Sequence, residues 1–149
     1  MSTYNIRNAI CRAKRIDNNE WVEGYYVFDK CDLIVKDLRA IVRGHAELVN
    51  AYPVDHETIC RAVGRDDKNG TPIFEGDIMK WFGVIPYIVR YGEFNGTVGL
   101  GYYYGIGFYL ERVGHPEHKV PLSSISCDEG EFAIVGNIYD NKELLLHEE

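Results

Sequence analysis

The chain has 149 residues, of which 46% are hydrophobic and 13% aromatic. This composition excludes a disordered protein and predicts a single domain, residues 1–149, with a buried core. No apolar run approaches the roughly 20 residues of a membrane span, and the first residues lack the apolar core of a signal peptide, so we expect a cytoplasmic protein. The formal net charge is −7, and residues 91–149 hold 10 acidic but only 3 basic side chains. The last third is therefore a poor candidate for binding phosphate.

The cysteines are widely spaced and form no Cys-x-x-Cys pair. In a reducing compartment such residues are usually small buried hydrophobic side chains, and a zinc site or a disulfide is the alternative. They are Cys11, Cys31, Cys60 and Cys127.

Short β-strands are predicted for the first 63 residues, with one ambiguous segment. Asn18-Asn19 is predicted to turn between the first two strands, and Asp55 to cap a single helical turn before the last one. Residues 36–43 fit a helix or a strand equally well. The β-branched and aromatic residues predict strands over residues 4–16, 21–28, 31–35, 47–54 and 59–63.

Two turn signals organise residues 64–82. Asn69-Gly70 is the dipeptide that most readily supplies two residues with positive φ, and the aspartates before it can bond their own backbone. Glu75-Gly76-Asp77 is a second break, after which a strand runs to residue 82. Asp77 is expected to bond backbone amides of this turn, although Glu75 and Asp77 together could also serve as an acid and base pair.

The second half predicts further strands and a closed sheet. A strand is expected over residues 87–91, and another Asn-Gly turn at Asn95-Gly96 opens a glycine-rich strand that extends to residue 113. Glycines at this density suggest bulges and bends that close a small barrel. We expect a loop over residues 114–118, extended pieces at 120–125 and 132–139, and a short terminal helix capped by Asp140 or Asn141.

Four sequence blocks resemble the YopX family of phage and prophage proteins. The most specific is "DKNGTPIFEGDI", which is similar to the family signature "DKNG..IYEGDI". His56 departs from the family pattern, which usually has proline there, and Arg65-Asp66 stands where Leu-Lys is usual. The similar blocks are residues 12–27, 54–70, 67–78 and 132–145.

The resemblance implies a mostly β protein of phage origin, and the family has no agreed biochemical activity. We therefore predict a mainly β, YopX-like fold with two small all-β subdomains, roughly residues 1–64 and 65–149. The second subdomain is expected to resemble an SH3-like barrel and to be followed by the short C-terminal helix.

An aromatic cluster is the most suggestive candidate site. Alternation along a strand places Tyr102 and Tyr104 on one face and Tyr103 on the other, so the three cannot all lie in the core. Together with Phe108 they could form a protein interface, pack in the core, or stack nucleic-acid bases. The acidity of residues 91–149 argues for protein rather than bases.

A basic segment near the N-terminus offers an alternative. If the protein binds nucleic acid, its phosphates would meet this segment and its bases would stack on nearby aromatic rings. The basic residues are Arg7, Arg12, Lys14 and Arg15, and the stacking residues are Trp21 and Tyr25.

Metal binding and catalysis have little support in the sequence. His115 and His118 flank Glu117, but a metal would need a further ligand such as Asp128 or Glu129, and a surface loop explains the same residues. We predict no metal, no cofactor and no enzymatic activity. The expected function is that of an accessory protein that self-associates or binds a phage or host protein, with nucleic-acid binding as the alternative.

Overall fold

The computed structural model describes residues 10–36, 50–98, 101–122 and 132–146, and most of these residues lie in β-strands. The prediction of a mainly β protein is therefore confirmed. The chain divides into two compact units, Met1–Gly64 and Arg65–Glu149. In the described residues, no helix is long and apolar enough to cross a membrane.

The first unit contains antiparallel strands around a small apolar core. Asn19 adopts a left-handed φ of 61°, which lets the chain reverse between the first two strands. Asp55 caps a 3-10 helix, His56–Thr58, as its carboxylate accepts a hydrogen bond from the Glu57 amide. The strands are β1 (Ile10–Lys14), β2 (Trp21–Phe28), β3 (Asp32–Val35), β4 (Ala51–Pro53) and β5 (Cys60–Asp66), and their order is β4-β3-β2-β1-β5.

Close packing between β2 and β3 requires a glycine. A Cβ at Gly24 would lie 2.6 Å from the carbonyl oxygen of Val35 and 2.9 Å from Cγ2 of Ile34. Any larger residue would therefore push the two strands apart. The core beneath these strands consists of Ala13, Val22, Ile34 and Val54, each a side chain whose burial contributes to stability.

The turn after β5 differs from the prediction of two positive-φ residues. Gly70 has a φ of +80°, but Asn69 does not have a positive φ. The Gly70 amide donates to the Asp67 carbonyl at 3.0 Å, and the Asp67 carboxylate accepts from the amides of Asn69 and Thr71, both at 2.9 Å. These bonds favour a type I turn followed by a left-handed glycine, which is the usual three-residue hairpin loop.

The second unit contains a five-stranded antiparallel sheet with the order β10-β9-β8-β7-β11. Because this sheet is open, the predicted SH3-like barrel is not confirmed. The short strand β6 pairs beside β5 instead. The strands are β6 (Pro72–Phe74), β7 (Asp77–Trp81), β8 (Ile85–Val98), β9 (Gly101–Arg112), β10 (His115–Pro121) and β11 (Phe132–Asn137).

The β6–β7 turn is built around Gly76 and Asp77. Gly76 has a φ of +82°, and a Cβ there would lie 3.2 Å from the Tyr139 ring. Its amide donates to the Val89 carbonyl at 2.9 Å. Asp77 is 1% exposed, and its carboxylate accepts a hydrogen bond from the Phe74 amide at 2.8 Å. Asp77 thus has the backbone-bonding role that its position in the turn suggested.

Two predicted breaks in this unit are wrong. Asn95 and Gly96 lie inside β8, opposite Tyr104 and Tyr103, because the β8–β9 register runs without interruption to Val98 and Gly101. Residues 115–118 belong to β10 rather than to a loop, since an outer strand tolerates proline.

The terminal helix is a single 3-10 turn, Lys142–Leu145. Asn141 makes no side-chain cap there. Its side-chain oxygen Oδ1 accepts instead from the Asn137 amide at 3.1 Å. Leu144 and Leu145 pack against the buried residues Ile78, Ile88 and Val113.

Candidate protein-binding surface

A two-stranded ribbon extends from the second sheet. We define the ribbon as residues 91–98 of β8 and 101–108 of β9, which pair with each other throughout. Strand β7 pairs with β8 over residues 85–88, and β10 pairs with β9 over residues 109–112. Of the described residues, none forms a third strand alongside 95–98 or 102–108. At about 3.3 Å per residue the ribbon is roughly 25 Å long.

One face of the ribbon carries a row of exposed apolar side chains. Tyr102, Tyr104 and Ile106 alternate along β9 and are 70%, 60% and 65% exposed. Because side chains two residues apart share a face, they form a continuous strip. These tyrosines are the two that the sequence analysis placed together on one face.

Neighbouring residues limit the freedom of this strip. The predicted interface residue Phe108 is half-buried, and its ring packs edge-on against Tyr91 with centroids 5.0 Å apart. The Tyr104 hydroxyl donates to a Glu93 carboxylate oxygen at 3.2 Å. This hydrogen bond raises the pKa of Tyr104. The rings of Tyr104 and Phe108 thus have contacts within the ribbon before any partner binds, which lowers the entropy that binding would cost.

On the opposite face of the ribbon, the Phe94 ring lies over a glycine of the neighbouring strand. A Cβ at Gly105 would lie 2.9 Å from the Phe94 ring, so that ring covers the glycine directly. Phe94 also packs against Tyr109, with ring centroids 5.7 Å apart. Gly92 and Gly107 lie opposite each other. Gly105 therefore makes room for Phe94, and the glycine-rich strand belongs to an open sheet rather than a closed barrel.

The predicted basic segment is engaged within the molecule. Arg12 and Lys14 lie over the Trp21 ring, with the guanidinium carbon 4.8 Å and the ammonium nitrogen 5.4 Å from its centroid. Arg15 stacks over Tyr52 at 4.5 Å.

The guanidinium of Arg15 is also paired with a carboxylate. It makes two hydrogen bonds to Asp17, of 2.9 and 2.6 Å, and this pairing lowers the pKa of Asp17. Tyr25 is half-buried, and Arg7 lies outside the described residues. The structure thus brings Arg12 and Lys14 together on Trp21, but it uses that ring and Arg15 for internal contacts.

A cluster of titratable side chains was not predicted. The Tyr26 hydroxyl donates to Asp32, and Nδ1 of His56 lies 3.1 Å from the other Asp32 carboxylate oxygen. The hydrogen bond from Tyr26 lowers the pKa of Asp32, and the bond from His56 lowers it further by a smaller amount. The same Asp32 bond raises the pKa of Tyr26. The cluster links β2, β3 and the 3-10 helix, and we interpret it as a structural clamp.

No local motif could have revealed this clamp, because its residues are 6 and 24 positions apart. One signal was available in the sequence. His56 departs from the family pattern that the sequence resembles, which has proline there, and proline has no side-chain donor for Asp32.

The chain reverses at the tip of the β7–β8 hairpin, one residue earlier than a reversal over residues 83–86 would place it. Phe82 is 64% exposed and has a left-handed φ of 49°, and Gly83 follows with a φ of 70°. The Val84 amide donates to the Trp81 carbonyl at 3.0 Å, and Trp81 pairs with Ile85. The tip is therefore a three-residue loop whose first two residues have the positive φ of a type I′ turn. This turn favours asparagine where Phe82 stands, and the aromatic ring packs only against Trp81 among the ring contacts described, at 5.1 Å.

The predicted histidine loop has other contacts. Nδ1 of His115 lies 3.4 Å from Glu117, and His118 packs edge-on against Tyr87 with ring centroids 6.0 Å apart. Asp128 and Glu129 lie outside the described residues. Within those that are described, no group of three or more histidine, cysteine or acidic side chains is placed to hold a metal ion.

Comparison with known proteins gives one result. The sequence model of a family described as "YopX protein" matches residues 11–146, which is nearly the whole chain. No curated protein matches the sequence.

Proposed function

The chain belongs to the YopX family, and from this premise we propose that it is a non-enzymatic accessory protein of phage or prophage origin. It acts by binding protein, either a second copy of itself or a phage or host protein, in the cytoplasm of a bacterial host. The contact surface is the aromatic face of the ribbon.

The observation that carries the proposal is the exposed strip of Tyr102, Tyr104 and Ile106. Large apolar side chains that are 60% to 70% exposed and adjacent on one face are typical of interaction surfaces. Tyrosine is also enriched among the residues that dominate binding energy. The ribbon supplies a regular platform for the strip, since its two strands are paired along their whole length.

Two further observations support the proposal over the nucleic-acid alternative. Glu93 is the only charged residue in 91–108, so the strip has no cation with which to bind phosphate. In the N-terminal segment, Arg15 is already paired with Asp17, and Trp21 is covered by two cations. Cys31 is an exposed free cysteine, which fits a reducing compartment.

The test compares wild-type protein with a Tyr102→Ser/Tyr104→Ser double variant. Both are immobilised and exposed to lysate of a phage-infected host, and self-association is measured separately by light scattering. We expect the double variant to remain folded and to lose the wild-type interaction by about 30-fold or more, as for truncation of hot-spot residues.

Phe28→Ser is the matched control, because Phe28 is an aromatic residue of 68% exposure that lies on β2. If the double variant keeps every interaction that the wild type and the control make, the ribbon is not the binding surface. Binding of labelled single-stranded DNA that Arg12→Ala/Lys14→Ala removes would establish the alternative instead.

A further inference from the structure

The outer strands of both sheets carry features that block the addition of another strand. Short strands, prolines and irregular pairing are the usual means by which native sheets prevent unwanted pairing at an edge. Strands β4 and β6 have three residues each and contain Pro53 and Pro72. Strand β10 contains Pro116 and Pro121 and shifts register, and β11 also shifts register.

The β9 edge of the ribbon has none of these features. Residues 101–108 contain no Lys, Arg, Asp, Glu or Pro, and their pairing with β8 has no register shift. Strand β10 accompanies β9 only as far as Tyr109, in the described part of the chain. A long, regular, uncharged edge is the kind of edge to which another strand adds.

The direction of the backbone groups along this edge follows from the pairing with β10. Tyr109 lies opposite Pro121, which has no N–H to donate. The backbone N–H and C=O of Tyr109 therefore face β8 rather than β10. Because these groups alternate in direction along an antiparallel strand, those of the even-numbered residues of β9 point away from β8. These include Tyr102, Tyr104 and Ile106, which also carry the exposed side chains.

We propose that the β9 edge, residues 101–108, pairs antiparallel with the same edge of a second copy. The result is a continuous four-stranded sheet, β8-β9-β9-β8, across a two-fold axis. This inference rests on the proposed function, because it names the protein that the ribbon binds. It also makes the aromatic strips of the two copies one surface on the same side of the joined sheet.

When two copies associate, charge favours a contact through the β9 edge of the ribbon rather than through its β8 edge. The whole chain carries a net charge of −7, so two copies repel unless their contact excludes acidic groups. Pairing through β8 would bring the two copies of Glu93 near each other, whereas residues 101–108 bring no charge at all. An antiparallel edge paired with itself is also self-complementary, as a two-fold interface requires.

The contact is small, so the dimer is expected to be weak. Edge pairing covers the edge backbone and the flanks of the strip's side chains but leaves their faces open, so the buried area stays below the roughly 1,000 Å² of a specific interface. We expect dissociation in the micromolar range or weaker.

The first test is light scattering over concentrations from micromolar to millimolar. Wild-type protein is expected to shift from monomer to dimer. Ile106→Lys places like charges in the shared sheet and should weaken the dimer at least about tenfold. Val84→Lys is the control, because Val84 is 73% exposed and lies outside the ribbon, and it should dimerise as the wild type does.

A second variant tests the backbone pairing itself. Tyr104→Pro removes an N–H that points away from β8, so it should leave the ribbon paired and abolish the dimer. Hydrogen exchange should show the amides of Tyr102, Tyr104 and Ile106 becoming protected as the concentration rises, while those of residues 95–98 do not change. A dimer that survives Tyr104→Pro, or that forms without this protection, would overturn edge pairing.

The failure of this inference is distinguishable from failure of the proposed function. If the wild-type protein is a monomer at every concentration, the inference that the ribbon pairs with a second copy is wrong. If the Tyr102→Ser/Tyr104→Ser variant then loses binding of another protein, the proposed function still holds.

Discussion

Removal of the Asp67 carboxylate should be among the most damaging single changes to this protein. Asp67 is 6% exposed. Its Oδ1 accepts the amides of Asn69 and Thr71, and its Oδ2 accepts the amide of Ile134 in β11 at 3.0 Å. One side chain therefore forms the turn after β5 and ties that turn to an outer strand of the second sheet.

The cost of Asp67→Ala can be estimated from these bonds. A hydrogen bond to a charged group contributes roughly 1.5 to 3 kcal/mol, but the amides of Asn69 and Thr71 lie in an exposed turn, where water can replace the carboxylate. The Ile134 amide is half-buried, so water replaces its lost hydrogen bond less completely. We expect a loss of about 3 to 5 kcal/mol in the free energy of unfolding, which lowers the Tm by roughly 10 °C.

The assay is urea denaturation followed by circular dichroism, with the m-value checked so that a change in midpoint reports stability. Lys68→Ala is the control, because Lys68 lies in the same turn with an exposed side chain, and it should change stability by less than about 0.5 kcal/mol. Asp67→Asn should fall between the two, since its amide nitrogen cannot accept from Ile134. A loss below about 1 kcal/mol for Asp67→Ala would refute the reasoning.

Two further predictions concern stability. Phe82→Asn should raise the Tm by roughly 2 to 4 °C, because it removes a left-handed bulky residue that costs about 1 kcal/mol, and a Tm that stays the same or falls would contradict this. Tyr26→Phe should destabilise the protein most between about pH 5 and pH 9, because the Asp32 pKa is lowered from about 3.9 and the Tyr26 pKa is raised from about 10. The contribution of the bond is thus lost as the pH falls through the Asp32 pKa or rises through the Tyr26 pKa, and a constant Tm difference from pH 3 to pH 11 would show that the bond contributes nothing.

Local signals predicted the elements whose geometry is set within a few residues. Asn18-Asn19 marked the β1–β2 turn, and Asp55 marked the cap of the 3-10 helix, since both depend on the backbone preferences of adjacent residues. The sidedness of Tyr102 and Tyr104 also followed from alternation along one strand. In each of these cases, no contact with a distant part of the chain overrides the local preference.

The ribbon shows where local signals fail. Asn95-Gly96 is a strong turn dipeptide, but Phe94 packs over Gly105 on the opposite strand, and this pairing carries both residues into β8. The half-buried position of Phe108 depends in turn on its register with Tyr91. Contacts between residues more than ten positions apart decide these features, and no pattern within one segment contains them.

The clamp of Tyr26, Asp32 and His56 could not be predicted for the same reason. Its three residues come from β2, β3 and the 3-10 helix, and only the pairing of β2 with β3 places Tyr26 beside Asp32. The fold class was predictable because alternation recurs in many segments. The clamp, in contrast, forms only when three particular segments of the chain are arranged in one way.

The ribbon lies outside all four sequence blocks through which the chain resembles its family. Those blocks contain Gly24, Asp67, Gly76 and Asp77, whose contacts build the turns and strand pairings of the two units. Substitutions in the ribbon leave these contacts untouched, so the ribbon can diversify while the scaffold persists. If the ribbon is the binding surface proposed above, members of the family are expected to share a fold and to differ in their partners.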